Sequence, residues 1–444
     1  MVEAIYKYIF KKYLALKFVK LKFPVSPYKI LAELHQSQYW SREKMKSYQF
    51  DKLRSLINSA NKDVNYYRDR VKDYDLKLLD LDDFSKSYPI LSKRDVLDNS
   101  YLLRNNHVIN KFRHSTSGST GQPLTVEISG LAEAYRLAGK MRFYNWWGVD
   151  FHDKSVLIWK LKQVDNKGLP YTKNIKRVLK NRLDLDIFNL NDETVSDFVT
   201  KIDDFGPKYI RSYKSGLFEL ARLMDKHNLR FKISSIKVAV VTSEVLIQEE
   251  RDYIKNILGC KVANEYGSAE GGFYAGECQH GSMHINEELS FLSTDQENNT
   301  CVTELNNLGT PLINYFNGDK IVISEEFCSC GKTSRIIKEV EGRISDFILC
   351  QDGSRKSSLI LSYIIRESMN SKYHGSIKQF RVVQNKNHFL LEMVPGLAYN
   401  EKIEEVIKNE MRSEIGKDIE IDVHVTEAIS REASGKLRYF IRKS

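Results

Sequence analysis

The sequence predicts a two-part protein of the α/β class: a large multi-layer α/β domain with a helical lead-in, followed by a small α+β domain. Three observations predict this class. Apolar residues recur at helical spacing between Tyr39 and Asn106. Beyond that stretch, short β-rich runs alternate with helical segments, a pattern typical of layered α/β folds. After about Gly342 the pattern changes to paired strands with a helix between them.

The lead-in covers residues 1–106 and is mostly helical by pattern, with a break at Tyr88-Pro-Ile-Leu-Ser92. Lysines interrupt the apolar runs of residues 1–23, so this segment predicts neither a membrane span nor a cleavable signal. Two interpretations fit it. It is either a basic amphipathic helix on an anionic membrane face or a helix packed on the protein's own surface.

The large domain extends to residue 342. Ser155–Trp159 and Ile236–Val241 are predicted strands, because they are short, β-branched and apolar. Ser215–His227 and Gln248–Leu258 are predicted helices. No internal repeat or low-complexity segment interrupts the alternation, which favours one layered domain.

The small domain covers residues 343–444. Ile377–Val383 and His388–Val394 flank Gln-Asn-Lys-Asn and predict a β-hairpin. A helix from Asn400 to Ile415 and a strand from Ile419 to Val425 follow. Strand pairs with helices in about a hundred residues are typical of a small α+β domain.

Composition and charge narrow the class of function. The chain has 444 residues, 42% of them hydrophobic, which is enough to bury sizeable cores. A net charge of +10 favours an anionic ligand such as a nucleotide, or an acidic surface. No zinc-finger, homeodomain or RNA-recognition signature supports a nucleic-acid partner. Six cysteines without a signal peptide indicate a reducing compartment, so we expect a cytoplasmic protein.

A turn of hydroxyl residues and glycines is the first candidate site. Ser115-Thr-Ser-Gly-Ser-Thr-Gly-Gln-Pro123 precedes a predicted strand. Glycines let backbone N–H groups approach an anion, and the hydroxyls add donors, so the turn suits phosphate. Taken alone, such a turn is more often an ordinary surface loop, and it lacks the Gly-Lys-Ser/Thr ending of a Walker A motif.

Four further motifs support a phosphate-binding role for this turn. In order, they are Glu265-Tyr-Gly-Ser-Ala-Glu270, Asn314-Tyr-Phe-Asn-Gly-Asp319, Glu341-Gly-Arg-Ile-Ser-Asp346 and Ser434-Gly-Lys-Leu-Arg438. Their order and spacing resemble the adenylate-forming superfamily. Within it, the short chain and helical lead-in look most like the branch of phenylacetate-coenzyme A ligases and the CapK-like proteins of capsular polysaccharide clusters. The resemblance covers roughly residues 90 to 440.

The resemblance implies an enzyme that uses ATP and magnesium to activate a carboxylic acid as its acyl-adenylate. Ser117, Gly118, Ser119, Thr120 and Gly121 would then hold the β- and γ-phosphates. Other nucleotide-binding positions would be Ser243, Glu244, Glu265, Tyr266, Gly267, Ser268, Asp319 and Arg343.

Each of these positions has a chemistry that suits its implied role. Tyr266 offers a ring for adenine, and Ser268 a hydroxyl for the α-phosphate. Asp319 would accept hydrogen bonds from the ribose, while Arg343 would meet the ribose or a phosphate. Glu270 would be a catalytic ligand for magnesium, which prefers hard oxygen atoms.

Lys436 would be the main catalytic residue. Its ammonium can bridge the attacking carboxylate and the α-phosphate, stabilising charge that develops in the transition state. Because it belongs to the small domain, the resemblance implies a mobile domain that closes about a hinge near Arg343 to Asp346. Outside its Ser-Gly-Lys context, a lysine near a basic C-terminus is more often a solvated charge.

Two departures from the family pattern bear on nucleotide binding. Many members have a lysine after the last glycine of the phosphate turn, where this chain has Gln122. An arginine is common shortly before the ribose-binding aspartate, where this chain has Tyr315-Phe-Asn-Gly. Both changes remove a positive charge, which puts part of the expected nucleotide site in doubt.

A second constellation predicts a structural zinc site. Cys278, His284, Cys328 and Cys330 supply enough thiolate and imidazole ligands for a closed tetrahedral site, with His280 as the alternative imidazole. Buried, unligated thiols are the competing interpretation. Cys260, Cys301 and Cys350 lack partners by spacing and are predicted to be packing residues.

The sequence does not identify the acid or the acceptor. Tyr213, Ser215 and the run Val241–Glu244 resemble acyl-pocket and adenine-side segments. Arg211 and Lys214 either hint at an anionic acid or are exposed surface charges. Coenzyme A or an amine acceptor, such as an amino acid or a sugar, would receive the acyl group. A place in surface polysaccharide biosynthesis, peripheral membrane association through residues 1–23 and a homodimer are compatible with the pattern. The competing classes are a catalytically inactive nucleotide-binding protein and a zinc-stabilised interaction module.

Overall fold

The structure is a computed structural model that describes most of the chain. The described residues are 23–70, 80–116, 124–160, 181–343, 347–358, 360–361, 364–365, 376–396, 398–432 and 436–443. The first 22 residues, whose amphipathic pattern suggested a membrane-facing helix, therefore lie outside the described part, as does the Ser117–Gly121 turn.

The lead-in is helical, as its apolar periodicity predicts. Its helices are α1 (Pro27–Ser37), α2 (Arg42–Asp63), α3 (Asn65–Arg70), α4 (Leu81–Ser87) and α5 (Lys93–Asp98). Local chemistry sets their ends: the Ser41 hydroxyl accepts a hydrogen bond from Lys44 N at the start of α2, and Ser92 and Asp95 form a capping box at the start of α5. The break at Pro89 falls between α4 and α5, where proline disfavours helix.

A mixed sheet of eleven strands forms the centre of the large part. Its strands in chain order are β3 (Ser155–Trp159), β4 (Arg182–Asp186), β5 (Tyr209–Tyr213), β6 (Val238–Thr242), β7 (Lys261–Ser268), β8 (Gly272–Glu277), β9 (Met283–Ile285), β10 (Ser290–Thr294), β11 (Asn299–Glu304), β12 (Tyr315–Ser324) and β13 (Ile336–Arg343). Their spatial order is β10-β11-β12-β13-β9-β8-β7-β6-β5-β3-β4. A separate hairpin of β1 (Lys111–Ser115) and β2 (Thr125–Ser129) flanks the serine- and glycine-rich turn.

Helices pack on this sheet: α6 (Gly130–Trp146), α7 (Val195–Phe205), α8 (Lys214–Lys226) and α9 (Gln248–Leu258). Strands β4, β3, β5, β6 and β7 run parallel, whereas β8 and β9 pair antiparallel. The layered α/β class is thereby confirmed. One prediction is displaced, since the strand expected at Ile236–Val241 begins two residues later, at Val238.

A small sheet and one helix organise the C-terminal part. The order is β18-β17-β16-β19, and the strands are β16 (Ile377–Asn385), β17 (His388–Pro395), β18 (Glu420–Val425) and β19 (Phe440–Lys443). Helix α10 (Glu401–Ile415) is capped by the Asn400 side chain, and β14 (Phe347–Leu349) pairs with β15 (Arg355–Ser357). The predicted hairpin is present as β16 and β17, with Lys386 at φ +54° in its turn.

The chain divides into two compact units with separate apolar cores. The first unit contains Met1–Asn317 and Val322–Glu339, and the second contains Gly318–Ile321 and Val340–Ser444. Ile407 and Phe389 are fully buried in the core of the second unit. Within the described ranges, no helix combines the length and the hydropathy that crossing a bilayer requires.

Candidate active site

The carboxyl ends of the parallel strands lie at one edge of the sheet, and the strand order reverses there. After β3 the chain adds β4 on one side of it and then β5 on the other, so the strand order reverses between β3 and β5. Open α/β sheets bind ligands at such a reversal. Trp159 ends β3 and Tyr213 ends β5, and their rings stack with centroids 3.6 Å apart.

One face of the sheet changes from apolar to polar as it approaches this edge. Tyr209, Val238, Val240 and Ala263 belong to a buried apolar cluster under α6. The next residues on that face, two positions further along each strand, are Arg211, Thr242 and Glu265. Charged and hydroxyl side chains therefore replace apolar ones where the strands end.

Arg211 and Glu265 form a buried ion pair at this edge. Arg211 Nε donates to Glu265 Oε1 at 3.1 Å, and Nη2 contacts the same oxygen. Burial alone would raise the pKa of Glu265, but the cations Arg211 and Lys140 outweigh it and lower that pKa. Glu265 Oε2 is also buried, yet it has no hydrogen-bond partner among the described residues.

Ser243 and Glu244 form the turn after β6. Ser243 is exposed and adopts φ +68°, a conformation that is uncommon for a residue other than glycine and is often found near functional sites. The Glu244 carboxylate accepts hydrogen bonds from Ser215 N at 2.6 Å and Ser215 Oγ at 3.0 Å. Glu244 therefore holds the start of α8, whatever contact it makes with a nucleotide.

The Glu265–Glu270 motif forms a tight turn between β7 and β8, and the register of the two strands shifts at Tyr266/Gly267. Ser268 Oγ accepts a hydrogen bond from Gly271 N at 3.0 Å and lies 2.7 Å from Tyr274 Oη. A Cβ atom on Gly267 would clash with the Gly272 carbonyl oxygen, so close backbone packing requires glycine there.

Glu270 lies at the end of this turn with an uncompensated carboxylate. Its residue surface is 7% exposed, and its side chain has no hydrogen bond or ion pair with the described residues. Its backbone oxygen accepts from Arg136 Nη2 at 3.0 Å. Because a buried carboxylate is costly without a cation or donors, this side chain suits a divalent ion.

Tyr266 is oriented by a residue of the Asn314–Asp319 motif. Asn317 Nδ2 donates to Tyr266 Oη at 3.1 Å, which joins the turn to β12. The Tyr266 ring centroid also lies 5.4 Å from that of Tyr274. Asp319, the expected ribose ligand, lies two residues further along β12 and is buried.

The remaining predicted positions lie elsewhere. Arg343 ends β13. Lys436 belongs to the second unit, is half-buried, and its carbonyl oxygen accepts a hydrogen bond from Glu432 N at 2.9 Å. Lys214 pairs with Glu250 at 2.9 Å in a buried site. The hint of an anionic acid from Arg211 and Lys214 is weakened, because a carboxylate already neutralises each of them.

The four predicted zinc ligands lie together in the first unit. One ligand atom from each of Cys278, His284, Cys328 and Cys330 lies within 4.8 Å of all the others. Cys278 Sγ and Cys328 Sγ are 3.7 Å apart, and Cys330 Sγ is 3.2 Å from His284 Nε2. A tetrahedral zinc ion with Zn–S bonds of about 2.3 Å separates its sulfur atoms by about 3.8 Å. The thiol spacing therefore fits this ion.

His284 is held in the neutral form that metal ligation requires. Burial, together with the positive charges of Lys332 and Arg142, lowers the pKa of His284 to about 4, so its imidazole is neutral and able to ligate. Ser334 Oγ lies 3.1 Å from His284 Nδ1, which leaves Nε2 facing the thiols. The alternative imidazole, His280, is exposed and contacts Ser329 Oγ through Nδ1 at 2.9 Å.

Two basic residues of α6, near the carboxyl ends of the parallel strands, were not predicted from the sequence as site residues. Arg136 pairs with Glu304 at 2.6 Å, and Lys140 follows one helical turn later. Their signal was a helix rich in alanine, glycine and aromatic residues, which is typical of a buried helix and so places these charges inside. Glu304 lies 168 residues from Arg136 in sequence, so periodicity alone could not assign this pair.

Comparisons with known proteins find relatives in sequence. Residues 348–443 match the CapK C-terminal domain family. The chain is 22% identical to Protein CapK of Staphylococcus aureus over 410 residues, which cover 88% of each protein. It is 28% identical to a phenylacetate-coenzyme A ligase of Thermus thermophilus over 167 residues, covering 34% of this chain and 37% of the ligase.

Solved structures share the fold. A 2-hydroxyisobutyryl-CoA ligase in its postadenylation state superposes with a TM-score of 0.72 at 16% identity, covering 91% of both chains. An anthranilate CoA ligase superposes with a TM-score of 0.51 at 14% identity, covering 75% of this chain and 67% of the other. The chain is therefore a CapK-like protein with the fold of the adenylate-forming ligases.

Proposed function

We propose that this chain activates a carboxylic acid with ATP. The carboxylate oxygen attacks the α-phosphorus, the bond to the β-phosphate bridging oxygen breaks, and acyl-adenylate and pyrophosphate form. The observation that carries the proposal is the polar edge at the ends of β5, β6 and β7, which continues directly into the Tyr266 turn. Names of similar proteins, including CoA ligases with bound acyl-adenylates, support the same chemistry.

The roles follow from the chemistry of each side chain. Tyr266, held by Asn317, would stack on adenine, and Ser268 would donate to the α-phosphate. Glu270 would hold magnesium, which draws charge from the phosphates. Ser117–Gly121 would hold the β- and γ-phosphates, and Arg343 would meet the ribose or a phosphate.

Lys436 would stabilise the charge that develops on the α-phosphate. Carboxylate-dependent ATP–pyrophosphate exchange across a panel of acids tests the activity, and Lys436→Ala tests the role. We expect the variant to lose about 100-fold to 1,000-fold in exchange, as enzymes do when one donor to a transition-state charge is removed. Lys443→Ala, another lysine near the C-terminus, is the control. Unchanged exchange in Lys436→Ala would refute the role.

In a second half-reaction, an acceptor thiol or amine would attack the acyl carbon and release AMP. Coenzyme A is supported by the names of the phenylacetate and 2-hydroxyisobutyryl ligases. An amine acceptor, in surface polysaccharide biosynthesis, is supported by the sequence resemblance to proteins of capsular polysaccharide clusters. Adding coenzyme A or a panel of amines to adenylating enzyme, and identifying the acylated product by mass spectrometry, decides between them.

Zinc would be structural rather than catalytic. We propose that Cys278, His284, Cys328 and Cys330 bind one zinc ion, which ties the β8–β9 loop to the segment after β12. Four protein ligands leave no position for a reactive water. Metal analysis of protein purified without chelator should find about one zinc ion per chain.

The competing function is nucleotide binding without catalysis. It predicts that ATP binds while no acid supports exchange. The presence of Lys436 favours the enzyme instead, because ATP binding alone needs no residue for the charge that develops at the α-phosphate.

A further inference from the structure

Two polar groups above the parallel strands have no protein partner among the described residues, and they complement each other. Glu265 is 5% exposed, and its Oε2 accepts no hydrogen bond from the described residues. Lys140 is a potential donor, and its Nζ makes no hydrogen bond or ion pair with the described part of the chain. An unmatched buried acceptor is costly unless a ligand satisfies it.

The path of α6 places Lys140 above the ends of β5 and β7. Arg136, one turn before it, donates to the carbonyl oxygens of Ala269 and Glu270 in the turn after β7. Tyr144, one turn after it, packs on Tyr209 of β5 with ring centroids 4.7 Å apart. Lys140 lies between these two contacts on the same helix face.

The electrostatics agree with this position. Burial, and after it repulsion by the Arg211 guanidinium, lowers the pKa of Lys140, and attraction by Glu265 opposes both. Lys140 and Glu265 therefore interact through space without a hydrogen bond between them.

The charges around Lys140 balance, so they do not require a charged ligand. With histidines counted as neutral and the Glu270 carboxylate assigned to the proposed magnesium ion, three basic side chains face three acidic ones: Lys140, Arg136 and Arg211 against Glu265, Glu133 and Glu304, the partner of Arg136. What remains unmatched is one donor and one acceptor. A hydroxyl group is neutral and satisfies both at once.

We propose that the acid activated by this chain carries a hydroxyl group, which accepts a hydrogen bond from Lys140 Nζ and donates one to Glu265 Oε2. This inference rests on the proposed adenylation and names its substrate class as hydroxy acids. Lys140 and Glu265 then determine specificity. A site that hydrogen-bonds a substrate hydroxyl rejects the analogue without it by about 10⁴-fold or more, because its polar groups stay unpaired.

The test measures ATP–pyrophosphate exchange by the full chain with matched acids. Butyrate is compared with 2-, 3- and 4-hydroxybutyrate, which each add one hydroxyl, and hexanoate with gluconate, which adds several. For at least one pair we expect kcat/KM to favour the hydroxy acid by about 100-fold or more. Lys140→Met should reduce that ratio to within about tenfold of one, since it removes the donor. The ratio is insensitive to the folded fraction, because both acids are measured on one preparation.

Matched controls make the outcomes distinct. Lys226→Met removes an exposed lysine from α8, distant in sequence from Lys140 and paired with Asp192, and should keep the wild-type ratio. Equal use of paired acids by the wild type would overturn the hydroxyl proposal alone. The proposal would also be overturned if Lys140→Met kept the wild-type ratio of kcat/KM, or lost kcat/KM equally with the hydroxy acid and its matched acid. If no acid of any kind supports exchange, the adenylation itself fails.

Discussion

At the scale of single residues, the interior of the first unit is organised by charges that pair across long stretches of sequence. Arg136 with Glu304 and Arg142 with Glu288 are buried pairs, at 2.6 and 2.7 Å. Lys214 and Glu250, 5% and 4% exposed, are another. Such pairs cost desolvation, so removing one partner harms stability more than removing both.

Glu250→Leu tests this principle. It would leave the Lys214 ammonium buried beside an apolar side chain, and we expect the free energy of unfolding to fall by about 3 to 5 kcal/mol. The double variant Lys214→Met with Glu250→Leu should recover most of that loss. Urea denaturation of the three proteins measures the difference. A double variant less stable than Glu250→Leu would contradict the prediction.

The protonation of His284 gives a prediction on pH. Its pKa is about 4 in the folded protein and about 6.5 when unfolded, so the unfolded chain binds more protons between these values. The neutral form of His284 therefore contributes its full stabilisation above pH 6.5. As the pH falls from 6.5 towards 4, protonation of this residue in the unfolded chain lowers the free energy of unfolding by about 3 kcal/mol. Urea denaturation of zinc-stripped protein at pH 7 and pH 4.5 should show a smaller pH effect in His284→Gln than in the wild type. The exposed His280→Gln should behave as the wild type does.

At the scale of secondary-structure elements, Glu244 joins the turn after β6 to the start of α8. Its two hydrogen bonds from Ser215 act as a helix cap supplied by another segment. Glu244→Ala should therefore lower the free energy of unfolding by about 1 to 2 kcal/mol. Glu249→Ala, an exposed first-turn residue of α9, is the control and should change it by less than about 0.5 kcal/mol. An unchanged stability in Glu244→Ala would leave only the nucleotide role for this residue.

The Cys/His cluster that we propose binds zinc joins two loops that lie about fifty residues apart, as the Cys278–Cys328 contact shows. Burial raises the pKa of the Cys278 thiol to about 12, so without a metal it stays protonated. Cys330→Ser should reduce bound zinc well below the wild-type stoichiometry and lower Tm, because structural zinc contributes to folding. Cys301→Ser replaces a half-buried thiol outside the cluster and should keep full zinc content. Equal zinc in both variants would exclude Cys330 as a ligand.

Elements with a clear period could be predicted from sequence, and elements with buried charges could not. Helices Lys214–Lys226 and Gln248–Leu258 lie within a residue of their predicted bounds, because each has one apolar face. The hairpin of β16 and β17 is also predicted from the sequence, because two apolar β-rich runs flank a short polar turn. Helix α6 is not predicted, because it contains Arg136, Lys140 and Arg142, and the carboxylates of Glu304 and Glu288 that pair with the two arginines lie far away in sequence. The cysteine cluster was predictable because thiol and imidazole ligands have few other reasons to gather.

At the scale of the whole molecule, the two units have separate cores. Leu220 is fully buried against the parallel strands of the first unit, and Ile407 is fully buried against the small sheet of the second. The family match to residues 348–443 falls entirely inside the second unit. Separate cores favour separate unfolding transitions, since each unit holds the contacts that make its own folding cooperative.

Paired core truncations test this division. Ile407→Ala should destabilise the second unit by about 2 to 5 kcal/mol, the usual cost of a large-to-small change in a packed core. In urea, followed by proteolysis and mass spectrometry of protected fragments, the second unit should lose protection at lower denaturant while fragments of the first keep their wild-type midpoint. Leu220→Ala should give the opposite pattern. If both variants shift all fragments together, the chain unfolds as one cooperative body, and the two cores are energetically coupled.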